Sequence, residues 1–156
     1  MANLRERYDA LVIGGGITGM QAALDLGEQG FEVLLVEKDP SIGGVMVGLN
    51  KVFPTLDCSS CICTPRMAES VHHPRIKLQT YSEVLRVEKN GLGFSVRVLL
   101  KPRYLIEDDC IGCGECELVC PVDVPHEFDY EFGARRAIYI PHGNAIPQKA
   151  VLDVER

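Results

Sequence analysis

Near its N-terminus the chain reads Tyr8-Asp9-Ala10-Leu11-Val12-Ile13, followed at once by Gly14-Gly15-Gly16-Ile17-Thr18-Gly19. The apolar first half predicts a short strand, and the glycines that follow match the spacing G-x-G-x-x-G. Apolar residues recur at helical spacing from Ile17 to Glu28, and Gly30 predicts the end of that helix. Residues 31–36 then predict a second strand. This order of elements is typical of a parallel α/β unit.

The same unit contains the residues of a dinucleotide-binding site. In a G-x-G-x-x-G turn the backbone approaches a pyrophosphate, whose charge the helix N-terminus stabilises. Glu37 follows the second strand, where a carboxylate can accept hydrogen bonds from ribose hydroxyls. The Gly43-Gly44 pair that follows resembles flavoproteins with two dinucleotide folds and favours FAD over NAD; an ordinary βαβ turn with a surface glutamate is the alternative. The residues expected to bind FAD are Gly14, Gly16, Ile17, Thr18, Gly19, Glu37, Lys38, Gly43 and Gly44.

A second motif, Cys110-x2-Cys113-x2-Cys116-x3-Cys120-Pro121, has the ligand spacing of a bacterial-type ferredoxin segment. Zinc knuckles usually have two separated cysteine pairs, so this spacing favours iron and sulfide over zinc. We predict that these four cysteines bind a 4Fe-4S cluster and that Cys120 opens a short helix. In two-cluster ferredoxins the fourth cysteine binds the other cluster. The fourth ligand is therefore Cys120 itself, a cysteine from the range 58–63, or a residue of another chain.

Three further cysteines, Cys58, Cys61 and Cys63, have the spacing C-x2-C-x-C and form what we call the first cysteine cluster. Three close thiols are suited to a second cluster or a zinc corner, to redox-active thiols, or to a purely structural role. The spacing alone leaves these alternatives open.

Composition limits the classes of function. The chain has 156 residues and a net charge of −6, which argues against nucleic acid as a partner. No run of about 18 apolar residues is present, so we expect no membrane span. Residues 1–7 do not resemble a secretory signal, and seven cysteines in a cytoplasmic protein are more often metal ligands or redox thiols than disulfides. We assign no catalytic residue, because no nucleophile has a visible His/Asp arrangement, and we expect the histidines in surface loops.

The remaining pattern suggests two units. Residues 1–102 are expected to form a Rossmann-like FAD-binding half-domain, and residues 103–156 a ferredoxin-like iron-sulfur segment. Residues 49–75 predict an irregular loop, and residues 76–80, 83–88 and 94–100 predict strands with a turn at Asn90-Gly91. Beyond Pro121 the sequence predicts loops and one short strand at residues 137–140.

Taken together, these motifs resemble the family of heterodisulfide reductase A subunits, with the A subunit of the quinone-interacting membrane-bound oxidoreductase as a near relative. The resemblance rests on the Gly-rich turn, on Val36-Glu37-Lys38, on Ser41-Ile42-Gly43-Gly44, on Phe53-Pro54-Thr55-Leu56-Asp57-Cys58-Ser59-Ser60-Cys61, on Lys101-Pro102-Arg103-Tyr104 and on the second cysteine motif. It implies an anaerobic electron-transfer flavoprotein with a thioredoxin-reductase-like FAD domain that carries an inserted ferredoxin module. It also implies partner redox subunits, with the flavin bifurcating or relaying electrons.

The later half of the FAD domain and a second cluster motif, both expected from the resemblance, do not follow in this sequence. We therefore expect a fragment or a split subunit whose missing parts come from partner polypeptides, unlikely to be active alone and weak in FAD binding. The main prediction is a subunit relaying electrons between FAD, a 4Fe-4S cluster and its partners. The alternative is a non-catalytic assembly or regulatory module, and a simple NAD-dependent enzyme is least favoured.

Overall fold

The structure is a computed structural model that describes residues 6–154. Residues 1–5 of the predicted non-secretory N-terminus, and the outer ends of both predicted units, lie outside this range. The helices and strands are, in chain order, β1 (Ala10–Ile13), α1 (Ile17–Glu28), β2 (Val33–Val36), β3 (Lys51–Val52), β4 (Asp57–Cys58), α2 (Ser59–His72), β5 (Ile76–Gln79), β6 (Ser82–Asn90), β7 (Gly93–Leu100), α3 (Glu115–Val119), β8 (Asp123–Pro125), β9 (Ala134–Arg136), β10 (Ile138–Tyr139) and β11 (Val151–Leu152). Short 3-10 helices cover Gly44–Gly48 and Glu127–Asp129.

The centre of the molecule is a parallel sheet with the strand order β1-β2-β5. Helix α1 connects β1 to β2, and helix α2 connects β2 to β5, so the chain crosses over twice in the manner of a parallel α/β fold. The predicted α/β class is confirmed. Apolar side chains from the sheet and both helices form one core, and each fully buried one contributes roughly 1.5 to 3 kcal/mol. The core cluster contains Met20, Ala23, Leu24, Val33, Leu35, Ile42, Cys63, Met67 and Ile76.

Strands β6 and β7 form a long antiparallel hairpin, as their alternating sequence predicts. Gly91 at its turn has a φ of +61°, a left-handed conformation that glycine adopts without strain. Both strands are longer than predicted, and apolar side chains such as Val87 and Phe94 are exposed on the hairpin.

The structure contradicts the prediction that residues 49–75 form an irregular loop, because α2 occupies most of this range. Its buried residues are spaced by successive helical turns: Ser59, Cys63, Met67 and Ser70. Two of these four residues are serines. The Ser70 hydroxyl donates a hydrogen bond to the Arg66 carbonyl at 2.8 Å. A search for apolar periodicity misses a face built in this way. Pro65 lies inside the helix, although proline usually interrupts helices, so the sequence favours a loop here.

Two predictions for the C-terminal third are also wrong. Cys120 does not open a helix; α3 ends just before it, and Cys120 is extended because the following Pro121 disfavours the helical conformation. The region beyond Pro121 is less irregular than predicted, since β8 pairs with β9 and β10 pairs with β11. Within the predicted strand 137–140, only Ile138–Tyr139 is a strand.

A C-terminal strip, residues 144–152, connects the sheet to the cysteines of the last third. The Ile146 carbonyl accepts from the Ile42 N–H at 3.2 Å, and the Ile146 N–H donates to the Ser41 hydroxyl at 2.9 Å. Lys149 Nζ donates to the Cys110 carbonyl at 2.6 Å. The strip therefore holds the segment that begins at Cys110 against the carboxyl end of the sheet. Within residues 6–154 no helix is long and apolar enough to cross a membrane.

Candidate cofactor sites

The Gly-rich turn, residues 14–19, needs glycine at different positions for different reasons. Gly14 has a φ of +101°, where a side chain would be strained. A Cβ on Gly19 would lie 1.9 Å from the Gly14 carbonyl oxygen, so Gly19 allows the helix to pack on the turn. A Cβ on Gly16 would meet no atom within 4 Å. The protein itself thus tolerates a side chain at position 16, and the bare backbone there is left open to a ligand.

Glu37 lies at the carboxyl end of β2 and is only 5% exposed. Its Oε2 accepts from the Gly15 N–H at 2.5 Å and its Oε1 from the Asp39 N–H at 2.8 Å. Burial, together with the neighbouring Glu37 carboxylate, raises the pKa of Asp39. Glu37 therefore fixes the Gly-rich turn to the end of the strand. Each carboxylate oxygen has a further lone pair that can accept from a hydroxyl.

The Gly43-Gly44 pair packs directly on the Gly-rich turn. The Gly43 N–H donates to the Gly15 carbonyl at 2.8 Å. Gly43 and Gly44 have φ values of +116° and +57°, and a Cβ on Gly44 would lie 3.0 Å from the Gly16 backbone. The positive φ values of this pair and the close approach of Gly44 to the Gly16 backbone favour glycine at both positions 43 and 44.

Four of the nine residues predicted for FAD line one cleft of about 860 Å3. The cleft is lined by Gly14, Glu37, Lys38 and Gly44. Gly43, the neighbour of Gly44, is buried. Ile17 and Thr18 are exposed in the first turn of α1, directly after Gly16. The bare backbone of the turn, the helix N-terminus and the carboxylate are the groups that a dinucleotide needs, so the residues present fit FAD.

Cysteines 110, 113, 116 and 120 lie on one segment that we call the second cysteine loop. Gly112 and Gly114 in this loop have φ values of +69° and +79°, which let the chain turn tightly between the thiols. Hydrogen bonds from the backbone N–H of Ala150 and then Gly112 lower the pKa of Cys110. Hydrogen bonds from Ile138 and then Val122 likewise lower the pKa of Cys120.

Backbone N–H groups aimed at thiolates are also the interactions that tune iron-sulfur clusters. Burial raises the pKa of Cys116, and the neighbouring Glu117 carboxylate raises it further. No three His, Cys, Asp or Glu side chains converge on a metal-holding geometry anywhere in the described range 6–154. The donor set itself, four thiols around two glycines, fits a 4Fe-4S cluster, and these four cysteines would hold it.

The structure separates the first cysteine cluster into two kinds of thiol. Cys58 and Cys61 are exposed at the start of α2. Cys63 is fully buried in the core, where its thiol donates to the Gly43 carbonyl at 3.9 Å. The three cysteines therefore lie in two different environments, two at the surface and one in the core.

An aromatic stack was missed by the sequence analysis. The Phe128 ring lies 5.7 Å from the ring of His142 and 6.1 Å from that of His126, measured between centroids. Burial lowers the pKa of His142, which is therefore not the freely solvated loop histidine that we expected. All three rings line both the nucleotide cleft and a second cavity bordered by Gly114. Only tertiary structure brings them together, because His142 is distant in sequence.

Two family models match successive parts of the chain. Residues 9–90 match the model described as FAD dependent oxidoreductase, and residues 103–126 match the 4Fe-4S binding domain. The first match spans more than half of the chain, which therefore belongs to the FAD dependent oxidoreductase family. FAD and a 4Fe-4S cluster are its cofactors, as the sequence predicted.

The resemblance to the A subunits of heterodisulfide reductases is also confirmed. The chain is 56% identical over 88% of its length to the second iron-sulfur A subunit of CoB–CoM heterodisulfide reductase from Methanopyrus kandleri. It is 52% identical over 93% of its length to the corresponding iron-sulfur A subunit from Methanocaldococcus jannaschii. The chain spans only 21% and 22% of these two relatives.

Solved structures agree with the predicted fold. L-proline dehydrogenase from P. horikoshii superposes on 61% of this chain with a TM-score of 0.52 and 26% identity, and 20% of that enzyme is covered. Thioredoxin reductase from T. acidophilum superposes on 58% with a TM-score of 0.52 and 22% identity, and 30% of that chain is covered. The thioredoxin-reductase-like fold of the FAD-binding part is thereby confirmed.

Proposed function

We propose that this chain is the part of an electron-transfer subunit that relays electrons between FAD, a 4Fe-4S cluster and partner redox subunits. Its similarity to the A subunits of heterodisulfide reductases supports a place in a multi-subunit oxidoreductase of anaerobic metabolism. The partners would be other redox subunits of such a complex. A cytoplasmic location suits a protein whose cysteines must stay reduced to bind a cluster.

We assign residues 1–102 to the flavin-binding half-domain and residues 103–156 to the iron-sulfur segment. The two family matches, at residues 9–90 and 103–126, lie on either side of this boundary and support it. Within these units, FAD would be held by the residues of the Gly-rich turn, by Glu37 and Lys38, and by Gly43-Gly44. The cluster would be held by the four cysteines of the second cysteine loop.

The observation that carries the proposal is the C-terminal strip, which contacts both sites. Ile146 is bonded to Ser41 and Ile42, next to the Gly43-Gly44 pair, and Lys149 is bonded to Cys110. Three residues of extended chain span at most about 11 Å. One short segment thus contacts both the flavin-binding loop and the first residue of the second cysteine loop, which supports a relay of electrons between cofactors bound at the two sites.

The decisive experiment is anaerobic purification followed by iron, acid-labile sulfide and flavin analysis. We expect about four irons per chain and FAD that binds on titration but washes out easily. A chain that binds zinc, or neither iron nor flavin, would instead favour the assembly or regulatory module.

Glu37→Gln should weaken both folding and FAD binding. The NH2 group of the glutamine would face the backbone N–H of either Gly15 or Asp39, so that two donors meet. A buried donor left without an acceptor lowers the free energy of unfolding by about 1 to 3 kcal/mol. Loss of the charge-assisted bond to ribose should weaken FAD affinity by roughly 10- to 100-fold. Urea unfolding and a fluorescence titration with FAD measure the two effects.

Glu28→Gln is the matched control, because Glu28 is an exposed glutamate at the end of α1. It should change neither quantity. Equal stability and equal FAD affinity in Glu37→Gln and the wild-type chain would show that Glu37 is not the ribose-binding residue.

A further inference from the structure

Helix α2 begins with a pair of thiols that have different environments. Cys58 is its N-cap residue, and the Cys58 sulfur accepts from the Cys61 backbone N–H at 3.4 Å. Both side chains are exposed at the surface. The two thiols therefore lie about one helical turn apart, and the Cys58 sulfur accepts a backbone bond from Cys61.

We propose that Cys58 and Cys61 form a redox-active dithiol that exchanges with disulfides, with Cys58 as the attacking residue and Cys61 as the resolving one.

The geometry favours Cys58 as the attacking thiol. A helix N-terminus stabilises negative charge, and the Cys58 sulfur also accepts a hydrogen bond from the Cys61 backbone N–H. The interaction with the Cys61 side chain is the main cause that lowers the pKa of Cys58, and the same interaction raises the pKa of Cys61. Residues three apart on a helix lie close enough for a disulfide to close without moving the backbone far.

Cys63 does not belong to this pair. Its side chain is fully buried, and its thiol donates to the Gly43 carbonyl. Burial raises the pKa of Cys63, so it stays a thiol, whereas the attacking and metal-binding form is the thiolate. Only two exposed thiols remain on this helix, fewer than the four ligands that zinc or a cubane cluster takes.

The pair is also fixed relative to the other sites. Ser59 donates its hydroxyl to the Leu49 carbonyl, and Cys63 contacts Gly43, so the first two turns of α2 are anchored to the loop that follows β2. Ser60, between the two cysteines, lines a cavity of about 660 Å3 that Gly114 of the second cysteine loop also lines. The helix turn that carries the dithiol is thus attached to the loop that follows β2, and its Ser60 borders the same cavity as the second cysteine loop.

The reaction with a disulfide R–S–S–R balances without another cofactor. The Cys58 thiolate attacks one sulfur, the S–S bond breaks, and the first thiol leaves after taking up a proton. Cys61 then gives up its proton and attacks the Cys58 sulfur, which releases the second thiol. Two electrons pass from the cysteines to the disulfide, which becomes two thiols while Cys58 and Cys61 become a disulfide. One proton comes from the Cys61 thiol and the other from the solvent, which took up the proton of Cys58.

The test uses the anaerobically purified full chain and oxidised glutathione as the probe. After incubation, acid quenching and alkylation, peptide mass spectrometry should find a Cys58–Cys61 disulfide in the wild-type chain. In Cys61→Ser a mixed disulfide with glutathione should accumulate on Cys58, because nothing resolves it. In Cys58→Ser, the matched variant, Cys61 should carry at least tenfold less glutathione. Cys63 should remain unmodified until the chain is unfolded.

Iron analysis of the same variants distinguishes this role from cluster ligation. Cys58→Ser and Cys61→Ser should keep the iron content and the melting temperature of the wild-type chain. A loss of iron in either variant as large as the loss expected for Cys113→Ser would overturn the proposal and would indicate that Cys58 and Cys61 bind a metal. Equal glutathione on Cys58 and Cys61, or no disulfide in the wild-type chain, would overturn it as well.

Discussion

Gly19→Ala is expected to lower the melting temperature by about 4 to 8 °C, at about 2 to 4 °C per kcal/mol for a chain of this size. The new Cβ would lie 1.9 Å from the Gly14 carbonyl oxygen, a backbone atom that cannot rotate away. Alanine favours the helix by about 1 kcal/mol over glycine. Overpacking costs about 1 to 3 kcal/mol and sometimes more, and a contact this short belongs at the upper limit, so the clash outweighs the gain. Thermal unfolding followed by circular dichroism measures the difference.

Gly16→Ala is the matched control, because a Cβ there meets no atom within 4 Å and the residue has ordinary extended backbone angles. Its melting temperature should stay close to that of the wild-type chain. Its affinity for FAD should fall by roughly tenfold or more, or about 1.4 kcal/mol, because the methyl group occupies the space that the pyrophosphate needs. The assignment of the turn fails if Gly16→Ala binds FAD as tightly as the wild-type chain.

Cys113→Ser should remove nearly all iron and sulfide from the anaerobically purified chain. One loop contains Cys110, Cys113 and Cys116. Serine at the middle position removes one ligand of the cluster, and no neighbouring residue can take its place. The broad visible absorption of thiolate-to-iron charge transfer should disappear with the iron. Iron and sulfide analysis, together with the optical spectrum, measures the loss.

Cys120→Ser is the informative comparison for this result. Cys120 lies beyond the end of α3, and its place can be taken by a residue from elsewhere, so this variant should keep a larger share of the iron. Full iron and sulfide in Cys113→Ser would contradict the ligand assignment. Equal and complete losses in all four single variants would show that no other residue can replace Cys120 as the fourth ligand.

The parallel α/β unit could be predicted because its signals are local. Gly14 and Gly30 both have a positive φ, as expected for glycines at turns. The apolar residues of β2 are buried, as the composition of this strand predicts. The resemblance to a known family supported the prediction of FAD and a 4Fe-4S cluster as cofactors, and the comparisons with known proteins confirm both.

Other features could not be predicted because they depend on contacts between distant residues. Helix α2 buries two serines, whose hydroxyls bond to backbone carbonyls, so its buried face is hidden from a hydrophobic pattern. Cys63 and Gly43 are 20 residues apart, and Ile146 and Ser41 are 105 apart, yet each pair is bonded. The division of the first cysteine cluster into one buried and two exposed thiols follows from the first of these contacts.

The two bonds that Glu37 makes to the backbone also limit how this position can evolve. A carboxylate that holds the Gly15 and Asp39 N–H groups is needed for folding whether or not a nucleotide is bound. Aspartate is one methylene shorter and could not reach both donors from the same backbone. Selection for stability alone would therefore keep a glutamate here after nucleotide binding had been lost. In a diverged copy of this fold, a glutamate at this position is by itself weak evidence that the copy still binds FAD.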